Sequence, residues 1–534
     1  MSTNVSKQKR EDLLAKIKAI RTYIATAPQD ENTANLLAYL SELEKDVGAK
    51  KYGLVFEEHR EEIDEVLSTH TPVLTEDGSL FIDNGGHMNF LIEGDNLASL
   101  QLLEKTHKGK IDLIYIDPPY NTGHKDFVYD DSFVDVSDTF RHSKWLSFMV
   151  KRLSLAKSLL SQKGAIFISI DNNEVFTLKS ICDEIFGSEN FVDAIVWNKK
   201  SSAKGVPPRS MLVNVHEYIL VYQKAGCYRF VGEKRDVSGF KNPDNDPRGP
   251  WRESNIKSTI KPIEDAFTIV DPNTGREYTN TWAFSKESLE RMIAEGRILW
   301  KESLPKQKEF MYEMTNENKA IKSSWGVFDP QSTTVYLKNL LPTVKFDNPK
   351  PISLMSYFLE VASHKDDLIL DFFAGSGTTG HAVMKLNAED GGSRRFILCT
   401  NNENNICREV TYERIKRVID KEGYAASLKY FKVDYIPVSE RMYYEYADEL
   451  LAHIRELVEL ENGINFTGNA EVGIVLTEEE LAEFIQNGEA FAKCRKLYMG
   501  HDLLPDEEQE KILRARGVEI SIIPDYYYRD LQEG

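Results

Sequence analysis

The sequence predicts an α/β fold built on a doubly wound, mostly parallel sheet. Short apolar runs such as Ile111–Ile116 and Lys163–Ile170 alternate with amphipathic segments of helical periodicity. Two of the apolar runs end abruptly in loops rich in proline or glycine. Strands that alternate with helices pack as a sheet covered on both faces. We therefore expect ligand-binding residues at the carboxyl ends of the strands.

The first of these loops is Asp117-Pro118-Pro119-Tyr120, directly after the run Ile111–Ile116. Two prolines fix the backbone and remove two N–H donors, so the carbonyls of Asp117 and Pro118 remain acceptors beside a carboxylate and an aromatic ring. Such a loop suits an exocyclic amine, whose two hydrogens Asp117 and the Pro118 carbonyl can accept while Tyr120 stacks on the base. A proline-stiffened turn without chemistry is the alternative for this motif taken alone.

The second loop follows the apolar run Leu368–Asp371 and reads Phe-Phe-Ala-Gly-Ser-Gly before a helix that begins near Thr378. Gly375 and Gly377 allow a tight turn and a close approach of backbone to ligand, while Asp371 and the helix start present a carboxylate and free N–H groups. This pattern favours a nucleoside-bearing cofactor. The glycine spacing also matches a dinucleotide motif, which keeps a nicotinamide oxidoreductase open but leaves Asp-Pro-Pro-Tyr unexplained.

With Asp117-Pro-Pro-Tyr120 upstream of Asp371-Phe-Phe-Ala-Gly-Ser-Gly377, the chain resembles the β-class S-adenosylmethionine-dependent DNA amino-methyltransferases. Further segments are similar to the modification (Mod) subunits of type III restriction-modification systems: Phe90–Leu97, Phe140–Ser147, Asn242–Trp251 and Leu428–Lys432. The resemblance implies a Rossmann-like methyltransferase fold with circularly permuted motif order. It also implies S-adenosylmethionine as cofactor and adenine as target, since the family's cytosine members usually carry Ser in place of Asp117.

The resemblance and the two loops together give a set of candidate site residues. The predicted catalytic residues are Asp117, Pro118, Pro119 and Tyr120; the predicted cofactor residues are Asp95, Phe346, Pro351, Asp371, Phe373, Gly375, Gly377, Thr378 and Glu403. A helix N-cap is an alternative role for Asp95. Glu403 is chosen for the cofactor ribose because the strand Arg395–Thr400 lacks the acidic residue expected at its end. No metal site is predicted.

Five segments are predicted along the 534 residues. They are an N-terminal helical region (1–70), a catalytic half of the methyltransferase core (71–224), a target-recognition insertion (225–340), a cofactor half (341–437) and an acidic C-terminal α/β domain (438–534). The insertion is irregular and rich in Pro, Asn, Asp, Arg and Trp, and insertions of this size are usually functional. Arg248, Trp251, Arg252 and Arg297 are its predicted DNA contacts, without assignment to base or phosphate.

The charge distribution is asymmetric. The net charge is −19, of which residues 438–534 contribute −13 (22 acidic, 9 basic), whereas residues 198–257 carry +6 (12 basic, 6 acidic). This is the distribution expected of an acidic protein with a DNA-contacting segment, although a solvated basic face is the alternative. The polar N-terminus and the lack of a long apolar run predict a cytoplasmic protein with no membrane partner. The five scattered cysteines indicate reduced thiols.

The predicted partners are double-stranded DNA, a second copy of the chain in a homodimer, and a restriction (Res) subunit. The N-terminal helices are expected to pack either on the core or on a second subunit. Besides the oxidoreductase, two alternatives stay open at this point: an RNA methyltransferase that uses the same core, and a DNA-binding subunit that keeps the fold without turnover.

Overall fold

The structure, a computed structural model, describes residues 5–25, 31–48, 56–123, 128–129, 132–133, 135, 137–200, 211–314, 318–344, 346, 348–438 and 448–527. All of the predicted catalytic and cofactor residues fall within these ranges. They belong to one large α/β domain.

Ten strands form the sheet of this domain. In chain order they are β1 (His70–Glu76), β2 (His87–Glu93), β3 (Ile111–Ile116), β4 (Leu160–Ile170), β5 (Phe191–Asn198), β6 (His216–Gln223), β7 (Ser324–Val327), β8 (Leu368–Asp371), β9 (Arg395–Thr400) and β10 (Ala426–Pro437). Their spatial order is β1-β10-β2-β9-β8-β3-β4-β6-β5-β7. The five neighbouring pairs from β10 to β4 and the pair β5/β7 are parallel, while β1/β10, β4/β6 and β6/β5 are antiparallel. This confirms the predicted α/β fold.

Helices cover both faces of the sheet. The helices in chain order are α1 (Val5–Ala25), α2 (Glu31–Gly48), α3 (Glu62–Thr69), α4 (Asn96–His107), α5 (Arg141–Leu159), α6 (Val175–Phe186), α7 (Lys286–Ala294), α8 (Pro330–Leu340), α9 (Ile352–Ala362), α10 (Thr378–Asp390), α11 (Glu413–Glu422), α12 (Ile454–Asn462), α13 (Glu478–Gln486), α14 (Gly488–Lys493) and α15 (Glu507–Arg516). One face packs against α4, α5, α6 and α12, and the other against α8 to α11.

Strand β3 shows why the centre of its sequence is apolar. Ile114 and Ile116 point into the core on one face, while Leu113 and Tyr115 point into the core on the other. Successive side chains of a strand alternate between faces, so a strand covered on both sides carries polar residues mainly near its ends. The charged residues stand accordingly, Asp112 at the start of β3 and Asp117 directly after its end.

The two predicted loops meet at the centre of the sheet. Strands β3 and β8 are parallel neighbours, with Leu113 opposite Ile369 and Ile114 opposite Leu370. Parallel neighbours end at the same edge of a sheet. The loop that begins at Asp117 and the loop that begins after Asp371 thus leave the sheet side by side, although about half of the chain separates them in sequence.

The mid-chain insertion has a small core of its own. It contains α7 and three antiparallel strand sets: Trp251–Asn255 with Ile298–Leu299 and Lys306–Phe310, Phe267–Val270 with Glu277–Asn280, and Glu233–Lys234 with Asn318–Lys319. Its apolar cluster includes Ile256, Trp282 and Leu289. Residues 324–340, predicted to lie in the insertion, instead pack with the sheet domain as β7 and α8.

The two terminal regions are built differently. Helices α1 and α2 pack on each other through Ile17, Ile24 and Leu40. Towards the C-terminus, the strands Val472–Val475, Lys496–Met499 and Glu519–Ile522 form a parallel three-stranded sheet, with α13, α14 and α15 between them in sequence. In the described ranges, no helix has both the length and the apolar character needed to cross a bilayer.

Candidate active site

The loop after β3 is held in place from two sides. The Trp145 indole N–H donates to the Pro119 carbonyl at 2.7 Å. Asn121 has a φ of 55° and donates from Nδ2 to the buried Glu174 carboxylate at 2.6 Å. Asn tolerates this left-handed conformation better than most residues. The loop therefore presents Asp117 at a defined position, with 28% of its side chain exposed.

Asp117 faces Lys350, which directly precedes the predicted cofactor residue Pro351 but was not itself predicted to belong to the site. Lys350 Nζ lies 3.2 Å from Asp117 Oδ1 and 2.8 Å from Glu217 Oε2. Burial raises the pKa of Asp117, Lys350 lowers it, and Glu217 raises it, so that the pKa lies above its usual value. The Tyr120 hydroxyl accepts a hydrogen bond from Lys350 and donates one to Glu217 at 3.0 Å. The candidate base-binding loop thus belongs to a buried network of charges.

The glycine-rich loop after β8 accepts hydrogen bonds from Thr411 and Arg414, two residues that the sequence did not predict. The Thr411 hydroxyl donates to the Gly375 carbonyl at 2.5 Å. The buried Arg414 donates from Nη1 to the Ser376 carbonyl at 3.1 Å and to the Thr378 hydroxyl at 2.7 Å. Thr378 starts α10, so these bonds fix the angle at which the helix N-terminus meets the loop. The Thr378 hydroxyl thus accepts a hydrogen bond from within the protein.

Asp371 also supports the loop from inside the protein. Its Oδ1 accepts from the Phe373 N–H at 3.0 Å, and its Oδ2 accepts from the Thr379 hydroxyl at 2.5 Å. The side chain is almost fully buried, and burial raises its pKa to about 7 in spite of these two bonds. The structure therefore gives Asp371 a role in shaping the turn; its contact with a cofactor stays a prediction.

The two glycines of this loop differ in what a side chain would meet. Both have positive φ, 48° at Gly375 and 72° at Gly377. A Cβ at Gly375 would lie 3.5 Å from Phe346 Cζ, whereas a Cβ at Gly377 would lie 3.2 Å from Thr411 Cγ2. Gly375 is thus the glycine that leaves space beside a predicted cofactor residue. Gly377 leaves space for the packing of the Ile406–Tyr412 segment.

The other predicted cofactor residues lie on loops around this edge of the sheet. Asp95 is the N-cap of α4 and still exposes 35% of its side chain, so it can cap the helix and still be reached by a cofactor. Pro351 is the N-cap of α9. Phe373 packs partly buried in the core, and Glu403 is exposed in a short turn after β9. Their contacts with a cofactor stay predictions.

The four predicted DNA contacts lie together on the small sheet of the insertion, and each has a carboxylate partner. Arg248 pairs with Asp246 at 2.7 Å, Arg252 with Glu309 at 2.8 Å, Arg297 with Glu313 at 2.6 Å, and the Trp251 indole N–H donates to Asp244 at 2.8 Å. The guanidinium groups of Arg248 and Arg297 also lie over the Phe310 ring. These contacts give the residues a structural role within the insertion, and their contact with DNA stays a prediction.

Comparison with known proteins places the chain in a family. A family model described as DNA methylase matches residues 111–412, which include both loops and the strands that carry them. The chain belongs to the DNA methylase family. The resemblance recognised in the sequence is thereby confirmed, and the two loops are the parts of this DNA methylase that its fold brings together at the carboxyl edge of the sheet.

Two relatives show how far the similarity extends. The chain is 35% identical over 382 residues to the StyLTI Mod subunit, a type III restriction-modification enzyme of Salmonella typhimurium, covering 64% of this chain and 58% of that relative. It is 33% identical over 333 residues to the type II methyltransferase M.KpnI of Klebsiella pneumoniae, covering 58% of this chain and 79% of that relative. The match thus spans less than two thirds of the length of the Mod relative.

Among solved structures, the chain is similar to a PvuII DNA methyltransferase described as cytosine-N4-specific. The two chains share 12% sequence identity, with a TM-score of 0.35. The match covers 65% of this chain and 98% of the solved one.

Proposed function

We propose that the chain transfers a methyl group from S-adenosylmethionine to the exocyclic amino nitrogen of adenine in a specific DNA sequence. The observation that carries the proposal is the position of Asp117 and the glycine-rich loop on the neighbouring strands β3 and β8, in a member of the DNA methylase family. Adenine is favoured over cytosine because of Asp117, at the position where the family's cytosine members usually carry Ser.

The residues of the site fit S-adenosylmethionine. Gly375 and Phe346 offer a close backbone approach beside an aromatic ring, and the half-buried carboxylate of Asp95 and the exposed carboxylate of Glu403 suit the polar groups of a nucleoside. Asp371, Phe373, Gly377, Thr378 and Pro351 would hold the loops around it. When bound, this cofactor supplies a methyl group that is already activated by its sulfonium, so positioning supplies much of the rest.

The residues of the catalytic loop would act on the target base. The lone pair of an exocyclic amine is delocalised into the ring, which makes the nitrogen a poor nucleophile. Asp117 and the Pro118 carbonyl would accept its two hydrogens and stabilise the positive charge that develops on the nitrogen during attack. Pro119 would keep the loop extended, and Tyr120 would stack on a base that has been flipped out of the duplex.

Names of the relatives suggest the biological setting. We propose that the chain is the modification subunit of a restriction-modification system, working on double-stranded DNA as a homodimer and with a Res subunit as partner. Methylation of genomic DNA would place it in the cytoplasm. The name of the Salmonella typhimurium relative, a Mod subunit of a restriction-modification enzyme, supports the modification role with a partner subunit, and the name of M.KpnI supports the methyltransferase activity.

A transfer assay tests the proposal. Purified protein is incubated with tritium-labelled S-adenosylmethionine and bacterial DNA, with RNA as competitor, and the labelled DNA is digested to nucleosides. We expect the label in N6-methyladenine. Label in N4-methylcytosine would contradict the proposed base, and label in RNA would favour the RNA methyltransferase. Absence of transfer to either polymer would favour the silent DNA-binding subunit.

Substitution of Gly375 by Val should weaken cofactor binding selectively. The added side chain would extend towards Phe346 and fill the space left beside the loop. Gly391 at the other end of α10 is a matched control, because it has a similar φ of 67° and a Cβ placed there would meet nothing within 4 Å. Both variants should lose about 1–3 kcal/mol of stability through backbone strain.

Calorimetry with S-adenosylmethionine separates the two variants. We expect Gly375→Val to raise the Kd by about tenfold or more, since an occluded approach removes contacts worth at least one hydrogen bond. Gly391→Val should bind as the wild type does. Equal affinity in Gly375→Val would remove this loop from the proposed cofactor site.

The insertion is expected to determine which sequence is methylated. It has its own core, and binding sites grafted on a common fold can change without the fold. A chimera that carries a relative's segment in place of residues 229–321 should therefore methylate the relative's site. Mapping of methylated adenines in genomic DNA measures this outcome. If the chimera kept the parent's site, specificity would lie outside the insertion.

A further inference from the structure

Lys350 is the centre of a charge network that joins three separate parts of the chain. It lies on the segment before α9, whereas Asp117 and Tyr120 lie after β3 and Glu217 lies on β6. Its ammonium group is 3.2 Å from Asp117 Oδ1 and 2.8 Å from Glu217 Oε2, and it donates to the Tyr120 hydroxyl. An ammonium group has three donors. All three donors of Lys350 can therefore be satisfied here, and only 13% of its side chain is exposed.

Glu217 anchors this lysine. Its Oε2 accepts from Lys350 and from the Tyr120 hydroxyl, while its Oε1 lies 3.1 Å from Lys199 Nζ. The side chain is 10% exposed. Burial acts to raise the pKa of Glu217, but Lys350 and Lys199 outweigh it and hold the pKa below its usual value. Glu217 thus stays ionised and keeps its two lysines in place.

We propose that Lys350, anchored by Glu217, is a positioning residue that holds the Asp117 carboxylate and the Tyr120 hydroxyl in place for the target base. This inference rests on the proposed function. A carboxylate has two oxygens, so Asp117 can keep Lys350 on Oδ1 while the amino group of the base approaches the other oxygen. The bond to the Tyr120 hydroxyl fixes the ring that would stack on the base. Both base contacts are then set before DNA binds.

The network also determines the ionisation of Asp117. The titratable and charged groups that interact with Asp117 are Tyr115 on β3, Tyr120 on the loop, Glu217 on β6, Lys350 before α9 and Asp371 on β8. Lys199 after β5 and Asp171 after β4 interact with Glu217. Lys350 favours the charged carboxylate, while burial and Glu217 disfavour it. Loss of Lys350 should therefore raise the pKa of Asp117, and loss of the Glu217 charge should lower it.

The pH dependence of kcat/KM for DNA methylation tests these opposite signs. Its acid limb reports the ionisation of the free enzyme's essential base. In Lys350→Met we expect the limb to move to higher pH by about one pH unit or more. In Glu217→Gln we expect it to move to lower pH. The double variant should fall between them, and Lys350→Arg should restore most of the wild-type profile.

Two controls keep the result interpretable. Lys108→Met removes a lysine that is 62% exposed at the end of α4, at the opposite edge of the sheet, and should leave the profile unchanged. Glu217→Gln conserves the shape of the side chain, so it tests the sign even if Lys350→Met does not fold. A purely structural role would lower activity in both variants without moving the acid limb in opposite directions.

The outcomes separate this inference from the proposed function. If the wild type transfers no methyl group to DNA, the proposed function is contradicted. If the wild type is active but the acid limb of Glu217→Gln stays in place or moves to higher pH, the role of Lys350 and Glu217 is contradicted. Opposite movements in the two single variants would support it.

Discussion

Replacement of Asp117 by Ala should abolish methyl transfer and leave the cofactor bound. In the proposed mechanism the carboxylate accepts from the amino group of the base and stabilises the charge that develops on its nitrogen. Loss of one such stabilising contact in other enzymes costs about 10²–10³-fold in turnover. Here the lost group also carries the charge opposite Lys350, so we expect a loss of about 10³-fold or more in kcat.

Single-turnover kinetics and calorimetry measure the two halves of this prediction. The affinity for S-adenosylmethionine should stay within about threefold of wild type, because the substitution removes a contact made to the base. Asp193→Ala is a suitable control, since Asp193 is an exposed carboxylate on β5. Wild-type turnover in Asp117→Ala would overturn the proposed mechanism.

Replacement of Lys429 by Met should destabilise the whole sheet domain. Lys429 lies on β10 with a fully buried side chain, and it pairs with the fully buried Glu459 of α12 and with Glu76 of β1 at 3.0 Å. Removal of the lysine leaves the buried Glu459 carboxylate without its close cationic partner, with the Phe466 N–H at 2.7 Å and the Arg455 guanidinium at 3.9 Å still beside it. Breaking a buried ion pair in this way costs about 3–5 kcal/mol.

Urea denaturation tests the prediction, and a double variant makes it specific. Lys429→Met/Glu459→Met removes both charges, so it should be more stable than Lys429→Met alone. Lys432→Met removes a lysine from the same strand that is 38% exposed, and it should change the free energy of unfolding by about 0.5 kcal/mol or less. A double variant no more stable than Lys429→Met would show that an unpaired charge is not the cause.

The central part of the fold could be predicted from the sequence because its signals are local. The run Ile111–Ile116 is apolar at every position except Asp112 and is followed by Asp117 and two prolines, and the run Leu368–Asp371 is followed by a glycine-rich turn. Each signal lies within about a dozen residues. The short strand Ser324–Val327 has no such signal, since Ser-Trp-Gly-Val is neither a continuous apolar run nor an alternating one. For that reason the predicted insertion extends to residue 340, past β7 and α8.

The residues that hold the two loops in place could not be predicted, because their contacts join segments that are distant in sequence. Lys350 meets Glu217 only after β6 and the segment before α9 have folded together. Arg414 reaches the glycine-rich loop from α11, and nothing in the sequence around it identifies its acceptors. The same limit applies to the arginines of the insertion. Their basic character suggested DNA contacts, but the pairing of Arg252 with Glu309 and of Arg297 with Glu313 becomes visible only in three dimensions.

The adjacency of β3 and β8 has a consequence for how such a protein can be encoded. The hydrogen bonds between these two strands bring the loop of Asp117 to the glycine-rich loop, and the peptide that links the two strands in sequence takes no part in those hydrogen bonds. A gene could therefore exchange the order of its two halves and specify the same site. Within the long connection between the halves, the described residues of 229–321 form no strand of this sheet, so under our proposal this part can vary under selection for a different property, the choice of DNA sequence.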